Sequence, residues 1–187
     1  MDYVAVVCRC LIAGIFGIAA LSKLRGRAVF EDFVRSTAVL LPTAVPRNRT
    51  IRWIGATVAA AEFAIAALIA VPATVRIGFG LSTVMLTTFI LGIADVLRRG
   101  ERVPCRCFGA STAVLRTRHL IRNALLLLVA GTGLALGPGD LDGTQPAGLY
   151  VAIGAATVLI VVVTRLDDLV ALSTPLPVSS GSPSGEQ

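Results

Sequence analysis

Charge is what this chain has least of. Only 15% of its 187 residues are Asp, Glu, Lys or Arg, while 55% are hydrophobic, and its mean hydropathy is +0.82. So small a charged fraction cannot cover the surface of a water-soluble domain. Aromatic residues are also scarce, at 5%, with a single tryptophan. The net charge of +6 therefore lacks the stacking side chains and motifs of a nucleic-acid binder, and nucleic acid is excluded as a partner. His119 is the one histidine. No Ser-His-Asp set, HExxH, phosphate loop or dinucleotide fingerprint occurs, so hydrolase and nucleotide-enzyme classes have no footing.

Long apolar runs are there instead. Five candidate spans stand out: Val4 to Leu21, Ile51 to Val71, Ile77 to Leu97, Leu120 to Leu136 and Gly148 to Val163. A hydrocarbon core of roughly 30 Å needs about 20 helical residues, so the last two are short. The fifth, Gly/Ala-rich and then Val-rich, is the weakest. The first run lacks a basic n-region, and Ser22-Lys23-Leu24-Arg25 stands where a small-residue cleavage site belongs, so it reads as a retained span. The fold class expected is an all-α polytopic membrane bundle of four core helices with a fifth span. Residues 1–172 form the transmembrane domain, with membrane lipids as its first partners. Residues 173–187, STPLPVSSGSPSGEQ, cannot bury apolar area and read as a disordered tail. No internal repeat is evident, although C-R-C occurs twice.

Basic residues set the expected orientation. Seven lie between spans one and two (Lys23, Arg25, Arg27, Arg35, Arg47, Arg49, Arg52). Seven more lie between spans three and four (Arg98, Arg99, Arg102, Arg106, Arg116, Arg118, Arg122). With Arg165, fifteen of seventeen fall on one side, leaving Arg9 and Arg76 on the other. The N-terminus is therefore expected outside a bacterial inner (plasma) membrane, with the C-terminus and the loop after span three in the cytoplasm. Within the first inner loop, Ala28 to Leu41 sets Val29, Phe30, Phe33, Val34 and Thr37 at helical spacing, with Glu31, Asp32 and Arg35 opposite. It reads as a short interfacial helix stopped by Pro42, serving as a packed connector or as a binding surface.

The four cysteines form two C-x-C pairs. Cys8 and Cys10 fall inside the first span, where residues two apart point away from each other and a mutual disulfide needs local unwinding. They are expected to be small buried residues, with a second redox pair as the alternative. Cys105 and Cys107 differ. They follow Pro104 and precede Gly109 in a basic loop, RVPCRCFGAS, where the backbone can extend. A disulfide in so small a ring is strained and readily exchanged, and Arg102 and Arg106 favour the thiolate. A redox pair is the leading reading and a structural one the alternative. A four-thiolate metal site would need both pairs, which the topology puts on opposite sides of the membrane, so no metal is expected.

Ionisable residues inside spans are costly and point to function. Counting from the inner ends, Glu62 sits about 15 Å deep and Arg9 about 18 Å deep. An ion pair between them is expected, either as a structural clip or as a proton-handling carboxylate beside a thiol or quinone site. No cofactor is required by the sequence, and a quinone is compatible with it. Lys23, the third member of this polar set, ends its span where snorkelling accounts for it. Asp95 pairs locally with Arg98 or Arg99. Arg122 and Asn123 open the fourth span directly behind the cysteine loop and are expected to fix it. His119 reads as an ordinary interfacial histidine, with a proton donor near the cysteines as the alternative.

CRCFGA at Cys105 to Ala110, leading into RHLIRNALLLL, resembles the C-x-C-F-G block and following R-N helix of the methylamine-utilisation MauE family, a DoxX-like group of redox-associated membrane proteins. Leu21-Ser22-Lys23-Leu24 is similar to that family's span-ending S-K, and Ala61-Glu62-Phe63 to its mid-helix acid. The likeness runs from about Leu11 to Ala130. It implies thiol–disulfide work with a thioredoxin-like partner, as in maturing the disulfide-rich small subunit of methylamine dehydrogenase. Cys105 and Cys107 would then be the catalytic pair, with Phe108 and Gly109 shaping the turn. The family role favours thiols facing outside, against the arginine distribution. The alternative from another class is a non-catalytic membrane docking subunit or chaperone for a redox enzyme.

Overall fold

The computed structural model describes residues 2–40, 49–99, 117–137 and 145–173. These form six α-helices: α1 (Asp2–Leu24), α2 (Arg27–Leu40), α3 (Arg49–Ala70), α4 (Val75–Arg98), α5 (Thr117–Leu136) and α6 (Pro146–Ser173). Among the described residues there is no strand. Every helix except α2 is long and apolar enough to cross a membrane. The fifth span, read as the weakest, belongs to a helix of 28 residues. The Ser/Pro/Gly-rich tail lies outside the described residues apart from Ser173, the last residue of α6.

Local chemistry sets the breaks. Gly26 separates α1 from α2, its carbonyl accepting from the Phe30 N–H at 3.1 Å. Pro72 cannot continue α3, so a single 3₁₀ turn, Pro72–Thr74, reverses the chain into α4. The Thr74 hydroxyl donates to the Leu68 carbonyl at 2.8 Å, covering one of the acceptors that α3 leaves open at its end. Gly137 closes α5 in the left-handed conformation, φ +76°, with its N–H on the Gly133 carbonyl at 3.0 Å.

The spans alternate in direction, and four close a ring. α1 packs on α3, α3 on α4, α4 on α5, and α5 back on α1. Ile12, Ile65 and Phe79 meet at its centre with no exposed surface. α6 lies outside the ring, parallel to α1, and the Gln145 N–H donates to the Tyr3 hydroxyl at 3.1 Å. Half of the α1 span is buried by other helices, against 11% of α6, so α1 is the axis and α6 a peripheral addition. Leu91, Leu125, Leu128, Val158 and Val161 point outward, the arrangement lipid requires. Hydroxyls on these surfaces bond within their own helix: Thr87 to the Thr83 carbonyl and Thr132 to that of Leu128.

α2 crosses one end of the ring, touching α1, α3 and α4. Phe33, Val34 and Thr37 are buried while Glu31 and Arg35 are exposed, so the amphipathic face read from the sequence is the packed one. Val29, counted on the apolar side, stays exposed at the edge. The docking needs Gly55: a methyl there would sit 2.8 Å from Val34 Cγ2.

Among the described residues Gly78 makes the tightest backbone approach, its missing methyl falling 2.9 Å from the Ile69 nitrogen, which cannot move aside as a side chain could. Gly80, two residues on, faces open space. Gly78→Ala is expected to cost about 1–3 kcal/mol from overpacking, while Gly80→Ala is neutral or stabilising by helix propensity. Thermal unfolding of the two variants in detergent separates them. Equal shifts would show that close packing of α3 on α4 is not what Gly78 provides.

Candidate functional site

Lys23 lies in the last turn of α1 and Glu62 near the middle of α3. Their Cα atoms are offset along the bundle, yet the side chains meet. In a helix each Cα–Cβ bond leans toward the N-terminus. On antiparallel helices, Lys23 therefore reaches into the membrane while Glu62 reaches back toward it. The Lys23 ammonium donates to both carboxylate oxygens, at 2.8 Å to Oε1 and 2.7 Å to Oε2, and to the Ala19 carbonyl at 3.3 Å. The two side chains are 1% and 4% exposed, so this ion pair is effectively withdrawn from solvent. Phe33 of α2 covers it, its ring centroid 4.4 Å from Lys23 Nζ, within reach of a cation–π contact.

This corrects two expectations. Glu62 pairs with Lys23 rather than Arg9, and Lys23 turns inward rather than snorkelling. Arg9 lies at the other end of α3. Its Nε donates to the Ile69 carbonyl at 2.7 Å and its Nη2 to the Ala70 carbonyl at 2.6 Å. Those are two of the last carbonyls of the helix, which have no partner within it and carry the negative end of its dipole. Arg9 thus caps α3 from a neighbouring helix. Asp95 pairs with Arg99 one turn on, as its spacing indicated.

At the end of the bundle that holds Lys23, α5 brings in three further polar residues. His119, Arg122 and Asn123 occupy its first two turns, and all three are buried, at 2%, 5% and 7% exposure. The sequence put His119 at an ordinary interface, whereas its side chain is enclosed. Cys105, Cys107, Phe108 and Gly109 lie outside the described residues, as does the loop that Arg122 and Asn123 were expected to fix. The helices on either side of that loop, α4 ending at Arg98 and α5 starting at Thr117, open toward this same end. Cys8 and Cys10 are toward the other end. Cys8 is buried in the apolar core and Cys10 is half-buried, both as free thiols in an unbroken α1.

Removing one partner of a buried ion pair strands the other charge, at a cost of about 3–5 kcal/mol, whereas an apolar replacement of both is often tolerated. Lys23→Met and Glu62→Leu are each expected to destabilise the protein strongly, and the double variant to recover most of the loss. A double-mutant cycle on thermal unfolding in detergent reads the coupling directly. Additive losses would show that the two charges are not stabilised by one another.

The comparisons with known proteins bear on the ring rather than on α6. No curated protein and no solved structure matches the chain. The family described as methylamine utilisation protein MauE matches residues 1–136, the whole of α1 to α5. That match covers well over half the chain and includes Lys23, Glu62, His119, Arg122 and Asn123, so the chain belongs to the MauE family.

Proposed function

We propose that this protein is a membrane component of thiol–disulfide exchange, with Cys105 and Cys107 as the exchanging pair and a thioredoxin-like protein as its partner. The observation that carries the reading is topological. The two helices joined by the C-x-C loop open at the end of the bundle where Lys23, Glu62, His119, Arg122 and Asn123 are buried. Buried ionisable groups in a span are expensive and seldom kept without a task. Membership of the MauE family supports the same role. Maturation of methylamine dehydrogenase-type clients rests on that membership alone.

The exchange itself is a pair of substitutions. One partner thiolate attacks the Cys105–Cys107 disulfide, forming a mixed disulfide and releasing one loop thiolate. The second partner thiolate then displaces the other loop sulfur. Two electrons pass to the loop, which ends as a dithiol, and the partner ends as a disulfide. A small strained ring favours this direction. Orientation follows the arginine asymmetry, with the N-terminus outside and the loop in the cytoplasm of a bacterial cell, where thiols are held reduced and the loop is better placed to receive electrons than to oxidise secreted proteins. Cys8 and Cys10 fit a packing role better than a second exchange site, because an intact helix keeps their sulfurs on different faces.

A variant keeping only Cys105 and Cys107 tests side and redox state together. In intact cells a membrane-impermeant maleimide is expected to leave the pair unlabelled with or without reductant, and to label it once the membrane is opened. Labelling of intact cells after reduction alone would place an oxidised pair outside and reverse the orientation. Cys105→Ser/Cys107→Ser is expected to abolish exchange with the partner. Survival of both partner binding and activity would make the chain a docking subunit with structural cysteines.

A further inference from the structure

At the Lys23 end, two clefts open side by side at the edges of α2. The first, about 630 Å³, is lined by Lys23, Arg27, Phe30, Glu31 and Arg52 among others. The second, about 280 Å³, is lined by Arg49, Arg52 and Trp53, with Phe30 again forming a wall. Phe30 and Arg52 thus belong to both. Lys23 is committed to Glu62, which leaves three exposed arginines against the single carboxylate of Glu31. The surroundings fix the level: Arg49 and Arg52 open the α3 span, and Gly26 and Arg27 lie two and three residues past the end of the α1 span. This is the depth of phospholipid headgroups. Trp53, 68% exposed beside them, has the amphipathic character that settles at a membrane interface.

We propose that these joined clefts are a binding site for an anionic phospholipid, its phosphate held by Arg27 and Arg52, with Arg49 available to a second phosphate or headgroup oxygen, and its first acyl segment lying against Phe30 and Trp53. Guanidinium groups match phosphate oxygens through paired N–H donors, and basic pockets beside membrane helices hold acidic headgroups in this way. The apolar wall separates a lipid from a free anion, because inorganic phosphate gains nothing from Phe30 or Trp53. Bound there, the lipid would tie the N-terminal turns of α2 and α3 together above the Lys23–Glu62 pair. The site depends neither on the thiol chemistry nor on which way the chain faces.

Trp53 is the only tryptophan, so its fluorescence reports on the second cleft alone. The protein in phosphatidylcholine nanodiscs is titrated with brominated phosphatidylglycerol or brominated phosphatidylcholine, whose bromines quench on contact. Quenching by the anionic lipid is expected at a mole fraction about 25-fold lower, the preference falling about five-fold with the loss of either Arg27 or Arg52. Arg27→Gln/Arg52→Gln should lose the preference, Arg27→Lys/Arg52→Lys should keep most of it, and Arg98→Gln/Arg99→Gln should leave it unchanged. Equal quenching by the two lipids would overturn the proposal. So would a preference that survives Arg27→Gln/Arg52→Gln, or one that Arg98→Gln/Arg99→Gln removes to the same extent. Inorganic phosphate at matched ionic strength is expected not to displace the lipid, and displacement would identify a soluble-anion site instead.

Discussion

A carboxylate in the middle of a membrane span has to find a cation, a proton or a water-filled path, because the surrounding hydrocarbon offers it nothing. Glu62 finds Lys23, and much of one end of this bundle follows from that. The pair sets the vertical register of α1 against α3, since only one stagger lets both side chains lean toward each other. It also demands a cover. A pair open to headgroup water on one side would be screened and its geometry loosened, and Phe33 of α2 closes that side with an aromatic face that tolerates an ammonium. The 14-residue helix α2, too short to span, is therefore part of how the bundle keeps its charges dry. Gly55 in turn is small because Val34 must come close enough for α2 to seat.

The remaining polarity is handled by other means. Arg9 satisfies two carbonyls at the end of α3, a position where the helix dipole welcomes positive charge. The threonines of the lipid-facing surfaces turn their hydroxyls onto carbonyls one turn back and disappear as polar groups. Against that background His119, Arg122 and Asn123 stand out. They are enclosed on α5 at the same end as Lys23 and Glu62, and no such economy by itself requires three polar side chains in two turns. Their concentration beside the ends of α4 and α5 is the structural reason for looking to the intervening loop for chemistry.

The spans were legible because hydropathy and length are one-dimensional signals, and the buried face of α2 was legible because its apolar residues recur at helical spacing. The partner of Glu62 was not. Counting depth along the axis treats a residue as its Cα, and on that count Arg9 and Glu62 nearly coincide. Lys23 carries its charge about four bonds from Cβ and aims it back along α1, a displacement of roughly a helical turn. Arg9 meanwhile is drawn to the end of α3 by open carbonyls that no sequence pattern displays. His119 was misjudged for a related reason: its place at the start of a span says how deep it lies and nothing about which face of α5 it occupies. The extent of α6 was understated because its last turns leave the apolar run and continue through Arg165 and Asp167.

Two C-x-C pairs on one small chain invite a shared role, and the architecture argues against it. From Cys8 to Lys23 is about 22 Å along an unbroken helix, and Lys23 marks the end at which the chain leaves α4 for the second pair. Thiol–disulfide exchange proceeds by contact of sulfur with sulfur, through a mixed disulfide, so distance cannot be bridged by orientation or field. Direct exchange between the pairs would require α1 to unwind at its N-terminal half, where Cys8 is packed among the core residues that close the ring. Two cysteines held inside α1 and two in the sequence between α4 and α5 thus stand in different places along the fold despite identical spacing. The helical pair has its geometry fixed by backbone hydrogen bonds, which keep the two sulfurs on different faces of α1.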